Sequence, residues 1–366
     1  MRAYKFRIYP TKLQDTEMRG HLWIAKELWN DLLEHTKNMY RDYGMFPTRN
    51  TLQLMVKNAG LFSQTQQEIA HRINDATKRF VKLRKEGKNA GFPRFKTFDR
   101  MKSLHYPQAG FSLDDKLKVA PFGEIKIVRH RPMEGTIKTL TLKRESSGKW
   151  YAIFTAEEPS MPPRTNDGPE VGIDLGLKCF VRLSNDERVT NPRHFKKYQD
   201  KLASAQRKMS SKKKGSKNWN ETKKTVAIIH EKIQNARNDF LHKTSTKLVN
   251  EYSLIAIEKL NVQDMMGDGL GKSIGDAGWA RFATLLSYKA ENAGSKIVFV
   301  DAAGTTATCH RCGHVQDMPL EKRFYDCPDC GLTMDRDLNA AKNILARATL
   351  GYGGSNAPGD GADVPS

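Results

Sequence analysis

The sequence predicts a multidomain α+β protein, in which a first half of helices and short strands precedes an α/β unit. Three observations support this fold class. Alternating strand patterns surround a long helical region before residue 158, a proline-rich stretch follows at 159–170, and later apolar strands alternate with helices. At 366 residues, the chain is long enough for two or three compact units with cores of their own.

The first half opens with a strand and continues as helix. The alternating, aromatic-rich "AYKFRIYP" predicts a strand over Ala3–Tyr9 that Pro10 ends. From Thr11 to about Lys85 apolar residues recur at helical spacing, until the glycines and proline of "RKEGKNAGFPRFK" break the pattern. Between Leu104 and Glu158, the segments "GEIKIVRH", "TIKTLTLKRE" and "KWYAIFTAEE" predict a small antiparallel barrel or sheet.

The second half follows "PSMPPRTNDGPE", whose four prolines predict a linker. "VGIDLG" predicts a buried strand with "CFVRLSN" as its hairpin partner, and "LIAIEKL" and "KIVFV" predict two more strands. A glycine-rich loop at 267–278 is expected to lead into a helix over Trp279–Asn292. We expect Cys179, on an apolar strand, to pack in the core, and the tail at 348–366 to be disordered.

The charge of the chain indicates a polyanionic partner. Its formal net charge is +20 and its pI is about 9.6, which points to nucleic acid or an anionic membrane. No window approaches 18 consecutive apolar residues and "MRAYKFRIYP" lacks the apolar core of a signal peptide, so we expect a soluble, intracellular nucleic-acid-binding protein with no membrane partner. Residues 193–247 hold sixteen Lys/Arg against four Asp/Glu in a largely helical pattern. Scattered lysines usually form a solvated face, but this ratio and the run Lys212, Lys213 and Lys214 favour phosphate contact.

Two acids lie inside apolar strands. Asp174 lies between Ile173 and Leu175, and Glu258 follows Ile257. One such acid is commonly a solvent-facing strand position, but an ionised carboxylate among apolar residues is costly unless it is paired or holds a metal. Two of them, with an acid that opens a late helix, predict a ligand set for magnesium or manganese. Such ions activate water and stabilise the leaving oxygen at phosphorus, so a phosphodiester hydrolase is indicated.

Four of the five cysteines form a predicted metal site. The spacing Cys309-x2-Cys312, fourteen residues, Cys327-x2-Cys330 is typical of a zinc ribbon. Four thiolates close the coordination shell, so the zinc would be structural and the nearby histidines bystanders. Two CxxC pairs and one leftover cysteine favour metal binding in a reducing compartment over disulfide bonds.

These segments also carry a family resemblance. "VGIDLGLKCFVRLSN", "LIAIEKLNV" and "DRDLNAAKNIL", with the CxxC pairs before the last, resemble the split RuvC nuclease domain of TnpB proteins. TnpB proteins are transposon-encoded, RNA-guided DNA endonucleases related to type V CRISPR effectors. "YKFRIYPTKLQ", "GFPRFK", "FLHKTSTKLV" and "SIGDAGWARF" extend the resemblance over roughly residues 1–347. Each motif is weak alone, but their order and joint presence are specific.

The resemblance implies an RNase H-like (RuvC) α/β nuclease domain with an inserted zinc ribbon, preceded by a β-barrel wedge domain that carries a helical recognition insertion. The implied bounds are 167–304 and 334–347 for the nuclease domain, 305–333 for the ribbon, 1–10 and 91–166 for the wedge domain, and 11–90 for the insertion. By position, Asp174, Glu258 and Asp337 match the family's catalytic, metal-binding acids.

The resemblance also implies partners. They are a guide RNA from the transposon end and a double-stranded DNA target beside a short motif, in the nucleoid-associated cytoplasm of a prokaryote. Arg94 and Lys96 of "GFPRFKTF" suit an RNA backbone, and Gln66 is a candidate base reader because an amide can bond adenine bidentately.

Two other functions compete with a guided endonuclease. A guided DNA-binding regulator that does not cleave is disfavoured by the intact set of acids. An unguided nuclease or strand-transfer enzyme is disfavoured by the large non-nuclease half at 1–158.

Helical periodicity distinguishes the two aspartates of "TMDRDLNAAKNIL". Counting from Leu338 puts Ala341 and Leu345 on a buried face, with Asp337 at its rim in the first turn. Asp335 is better placed to cap the helix. We therefore expect Asp337 to face the metals and the ribbon to fix where the helix begins.

Overall fold

A computed structural model describes residues 1–158, 164–261, 265, 271–319 and 321–350. The chain forms two compact units, Met1–Ser160 and Met161–Ser366. The expectation of a disordered tail at 348–366 is wrong for residues 348 and 349, which belong to the last described helix, and residues from 351 on lie outside the described residues. Among the described helices, none has both the length and the apolar character needed to span a bilayer.

Seven antiparallel strands form the sheet of the first unit, in the order β2-β6-β7-β1-β5-β4-β3. The strands are β1 (Arg2–Tyr9), β2 (Ser103–Tyr106), β3 (Phe111–Leu113), β4 (Leu117–Val119), β5 (Gly123–Val128), β6 (Thr136–Arg144) and β7 (Trp150–Glu157). Phe111 on edge strand β3 contacts Phe154 on β7, with ring centroids 6.4 Å apart, although three strands lie between them. The sheet therefore curls into a nearly closed barrel, as the strand pattern predicts.

Three helices belong to the same unit, and they confirm the predicted helical region. They are α1 (Lys12–Tyr43), α2 (Arg49–Met55) and α3 (Ser63–Lys85), and a short 3-10 helix at Phe98–Arg100 follows. Thr11 and Gln14 form a reciprocal capping box at the start of α1, and Gly44, with φ +66°, ends it in the left-handed region. The buried faces of α1 and α3 join the strands in one hydrophobic core.

A five-stranded mixed sheet organises the second unit, in the order β10-β9-β8-β11-β12. The strands are β8 (Glu170–Leu175), β9 (Cys179–Leu183), β10 (Arg188–Thr190), β11 (Leu254–Glu258) and β12 (Lys296–Val300). The helices are α4 (His194–Ser210), α5 (Lys217–Glu251), α6 (Gly271–Ala277), α7 (Trp279–Ala293) and α8 (Arg336–Thr349). β8 pairs antiparallel with β9 and parallel with β11, so the predicted hairpin is confirmed.

Helix α8 lies directly on this sheet at a glycine. A Cβ on Gly172 of β8 would lie 2.1 Å from the carbonyl oxygen of Ala341, so only glycine permits this approach. Ala340 and Ala341 are fully buried at the contact. The glycine of "VGIDLG" and the alanines of "LNAAKN" therefore bring the helix backbone against the strand that carries Asp174.

Two expectations were wrong in part. The loop expected at 267–278 is helical from Gly271 to Ala277, because Ile274 and Ala277 are buried in the core and outweigh the low helix propensity of glycine. Residues 267–270 lie outside the described residues. Cys179 is half-buried rather than in the core, and its Sγ lies 3.1 and 3.2 Å from the carbonyl oxygens of Val181 and Val189, either of which can accept the thiol hydrogen. The register of β9 against β10 shifts at this residue, which turns it from the apolar face.

Candidate functional site

Asp174 and Glu258 lie at the same edge of the second sheet. Ile173 pairs with Ile257 across the parallel strands β8 and β11, and each acid is the next residue of its strand. Because successive residues of parallel strands stay in register, the two carboxylates are neighbours at the carboxyl ends of the strands. In open α/β sheets this edge is where ligands bind.

Asp337 reaches this edge from the first turn of α8, which packs on β8, β9 and β11. Asp335 caps the helix, because its Oδ1 accepts a 3.0 Å hydrogen bond from the backbone N–H of Leu338. The prediction that Asp335 caps the helix is confirmed.

The electrostatics indicate that the three carboxylates converge. Burial raises the pKa of Asp174 well above its usual range, and the charges of Glu258 and Asp337 raise it further. Burial also raises the pKa of Glu258, against the hydrogen bond that it accepts from Thr305. At Asp337, burial and the charge of Asp335 raise the pKa. Carboxylates that resist ionisation together are stabilised by a shared divalent cation.

The donor set fits hard cations. Carboxylate oxygens are what magnesium and manganese prefer, and a two-ion site spans about 3.5–4 Å between its metals. Within the described part of the chain, the four cysteines are the only group of three or more His/Cys/Asp/Glu residues whose ligand atoms all lie within 4.8 Å of one another. The three carboxylates are not grouped this tightly.

The four cysteines fit zinc. Sγ of Cys309 lies 3.7 Å from Sγ of Cys330, and Sγ of Cys312 lies 3.5 Å from Sγ of Cys327. A tetrahedron with Zn–S bonds of about 2.3 Å has S–S edges of about 3.8 Å. Burial opposes ionisation of Cys327, but backbone N–H groups of Cys330 and Asp329 lower its pKa to about 6. Despite a backbone hydrogen bond at each, burial and the neighbouring thiols raise the pKa of Cys312 and Cys330, so Cys327 is the sulfur that ionises first and zinc would displace protons from the other two.

Both CxxC pairs lie in matching turns. The N–H of Gly313 donates to the carbonyl of Cys309 at 2.9 Å, and the N–H of Gly331 donates to that of Cys327 at 3.1 Å. Both glycines have positive φ, +79° and +67°, so glycine is required after each second cysteine. The second turn joins β13 (Phe324–Asp326) to β14 (Thr333–Asp335). β14 thus ends on the residue that caps α8.

Residues beyond the sequence prediction tie this region to the carboxylates. Thr305 donates its hydroxyl hydrogen to Oε1 of Glu258. Asn339 and Asn343, buried on α8, donate to backbone carbonyls at 305–308. The sequence could have indicated this, because two asparagines four residues apart on an apolar helix face are expected to be buried and hydrogen-bonded.

The residues predicted to contact nucleic acid lie in different settings. Lys212, Lys213 and Lys214 are exposed in the turn between α4 and α5. Arg94 is exposed, and Lys96 is half-buried with Nζ 3.4 Å from the ring centroid of Trp29. Burial, with the charge of nearby Arg72, lowers the pKa of Lys96 to about 8.

Gln66 is less well placed for its predicted role. It is 8 % exposed in the first turn of α3, and among the described residues its Oε1 has no hydrogen-bond partner. Base reading by Gln66 stays a prediction, and this burial does not favour it.

Comparisons with known proteins cover most of the chain. The family model described as "Probable transposase" (OrfB_IS605) matches residues 152–268, "Cas12f1-like, TNB domain" matches 279–344, and "Helix-turn-helix domain" matches 1–45. A "Putative RNA-guided DNA endonuclease" of Streptomyces pristinaespiralis is 32% identical over 380 residues, covering 98% of this chain and 91% of the relative. The similarly named InsQ of Escherichia coli (strain K12) is 30% identical over 378 residues, covering 94% and 92%.

The fold is also similar to a solved structure. A chain of a Cas12f1–sgRNA–target DNA complex aligns with a TM-score of 0.58 and 16% identity, covering 92% of this chain and 83% of that chain. At this identity the likeness concerns the fold alone.

Proposed function

The chain belongs to the TnpB family, and from this premise we propose that it is an RNA-guided, magnesium-dependent endonuclease that cleaves double-stranded DNA beside a short transposon-associated motif. The observation that carries the proposal is the convergence of Asp174, Glu258 and Asp337 at one sheet edge. In this proposal the second unit is a RuvC-like nuclease with an inserted ribbon. The first supplies the wedge barrel and the helical recognition insertion.

The three carboxylates would hold magnesium or manganese, ions that in this setting activate water and stabilise the leaving oxygen of a phosphodiester. Asp174 and Glu258 present their oxygens from rigid strand ends, and Asp337 presents its own from a capped helix. Their raised pKa values mean that protons compete with the cations for these carboxylates. The four cysteines would hold a structural zinc that shapes the segment before α8.

Sequence specificity would come from pairing between the guide and the target strand, while the protein holds backbones and reads only the flanking motif.

The exposed Lys212, Lys213 and Lys214 are suited to phosphate contact. If these lysines bind phosphates, replacing all three with glutamine makes nucleic-acid affinity less dependent on salt. The slope of log affinity against log salt should become shallower by about one for each phosphate that is no longer neutralised. An unchanged slope would leave this run as a solvated turn.

The direct test programs the protein with a guide RNA expressed from its flanking DNA. The complex is incubated with magnesium and a plasmid library that carries the matching target beside randomised sequence. We expect depletion of plasmids that share one short motif, and no depletion with Asp174→Asn. Undepleted libraries, with the RNA demonstrably bound and magnesium present, would contradict the proposal. A non-cleaving regulator is not favoured, because all three acids are present and brought to one edge.

A further inference from the structure

Thr305 contacts one of the proposed metal-binding carboxylates directly. Its hydroxyl oxygen lies 2.5 Å from Oε1 of Glu258 and 3.1 Å from the carbonyl oxygen of Ala302. A hydroxyl has a single proton to donate, and the shorter contact to the ionisable acceptor is the stronger one. Thr305 is 2 % exposed, so water does not compete for this bond.

The backbone that carries Thr305 is held by α8. Nδ2 of Asn343 donates to the carbonyl oxygens of Thr305 at 2.8 Å and of Thr308 at 2.6 Å. One turn further along the helix, Nη1 of Arg347 donates to the carbonyls of Asp301 and Ala303 at 2.8 and 2.7 Å. The segment 301–308 therefore has its position set by the helix that also presents Asp337.

Glu258 needs such support more than the other two acids do. It is the last residue of β11, and its side chain has one more rotatable bond than an aspartate, so the strand alone does not fix its carboxylate. Thr305 is β-branched and stiff at χ1, which makes it a firmer donor than serine would be. A hydrogen bond to Oε1 leaves the other carboxylate oxygen available to a cation.

We propose that Thr305 is a positioning residue that holds the carboxylate of Glu258 in its metal-binding orientation, with Asn343 and Arg347 fixing Thr305 from α8. The proposal rests on the function proposed above for Glu258. It implies that one helix supplies Asp337 directly and orients Glu258 indirectly, so that two of the three ligands depend on where α8 sits.

The test compares Thr305→Val, which removes the hydroxyl at nearly constant volume, with Thr305→Ser, which keeps it. Thr308→Val is the matched control, because the Thr308 hydroxyl donates to the carbonyl of Gly304 in the same segment rather than to Glu258. Two quantities are measured on the full chain. One is manganese affinity by electron paramagnetic resonance without nucleic acid, and the other is the magnesium concentration for half-maximal cleavage by the guided complex.

We expect Thr305→Val to weaken manganese binding and to raise the half-maximal magnesium concentration by about 10–100-fold, as for other groups that orient metal ligands. Thr305→Ser should lie within about threefold of the wild type, Thr308→Val should match it, and saturating magnesium should restore part of the cleavage rate. A reduced rate that magnesium does not restore, with manganese affinity intact, would overturn the positioning role.

Thr305→Ala guards against a folding defect in the valine variant, and zinc content with far-ultraviolet circular dichroism verifies both proteins. If Glu258→Gln is inactive while folded Thr305→Val and Thr305→Ala bind manganese like the wild type, this inference is wrong and the proposed function stands. If Glu258→Gln cleaves normally, the assignment of Glu258 itself fails.

Discussion

The cysteine cluster (Cys309, Cys312, Cys327 and Cys330) and the carboxylate cluster (Asp174, Glu258 and Asp337) are assembled in opposite ways. The cysteines come from two similar turns within 22 residues, and their sulfurs lie within 4.8 Å of one another. The carboxylates come from two strands and a helix far apart in the sequence, and they are more openly spaced. Local turns thus build the cysteine cluster, whereas sheet register and helix packing bring the carboxylates to one edge.

The two clusters are joined by a short piece of chain. The hairpin that carries the second cysteine pair returns through β14, whose last residue, Asp335, caps α8. Asp337 follows two residues later. We therefore expect the cysteine cluster to fix the start of the helix that presents Asp337, and damage to pass from the first cluster to the second more readily than back.

Breaking the cysteine cluster should have the largest effect on stability. Structural zinc contributes on the order of 10 kcal/mol of apparent binding free energy, which in small zinc domains is folding free energy. We expect Cys327→Ser to lower the zinc content below one per chain and to unfold the segment around the ribbon, measured by metal analysis and differential scanning calorimetry. Cleavage should fall as well, because the start of α8 loses its anchor.

Cys179→Ser is the matched control, since Cys179 lies outside the cluster, on β9. It should keep its zinc and nearly all of its stability. A Cys327→Ser protein with one zinc per chain and an unchanged thermal midpoint would show that the ribbon assignment is mistaken.

Breaking the carboxylate cluster should abolish cleavage and leave the fold and its zinc content intact. Asp337→Asn should reduce cleavage by about 10³-fold or more, equivalent to roughly 4 kcal/mol of transition-state stabilisation, because an amide is a poor ligand for a hard cation. RNA binding, DNA binding and zinc content should survive. Filter binding and metal analysis on the same preparation measure these, and loss of guide binding with loss of cleavage would indicate a folding defect instead.

Local chemistry explains which parts of the fold and site could be predicted from the sequence. The cysteine spacing, the acids in apolar strands and the cap at Asp335 follow from patterns within a few residues, and the structure has the cap where it was expected. The contact between Thr305 and Glu258 joins residues 47 apart through a loop with no repeating pattern, so no local rule indicates it.

For Gln66, the helical periodicity of the sequence already indicates burial, but the predicted role in base reading does not take it into account. Gln66 precedes Ile69 and Ile73 by three and seven residues, which places it on the buried face of α3. Base reading is predicted from a segment resemblance, whereas helical periodicity places this residue in the protein interior. The side chain of Gln66 is therefore buried by helix packing rather than exposed to a nucleic acid.

The burial and mutual repulsion of the carboxylates should also appear as a stability cost. Burial and the charges of Glu258 and Asp337 raise the pKa of Asp174, so its ionised form destabilises the folded protein at neutral pH without a cation. Asp174→Asn should therefore raise stability in magnesium-free buffer by about 1 kcal/mol, or about 2–4 °C in thermal midpoint. Magnesium should stabilise the wild type and not the variant. Asp239→Asn, at an exposed acid of α5, should change little, and equal midpoints for the wild type and Asp174→Asn would contradict the convergence of charge.

The smallest expected effect lies at the junction of the two clusters. Asp335 accepts from the N–H of Leu338, and its Oδ1 lies 3.7 Å from Nε of Arg182. Asparagine is also a good cap, so Asp335→Asn should keep cleavage within a few-fold and stability within a few tenths of a kcal/mol. Asp335→Ala removes the cap and should cost about 1 kcal/mol. Cleavage and thermal melts of both variants beside Asp337→Asn decide the matter. An inactive Asp335→Asn with an active Asp337→Asn would reverse the two roles, because the carboxylate that faces the cations would then be the one now assigned to the cap.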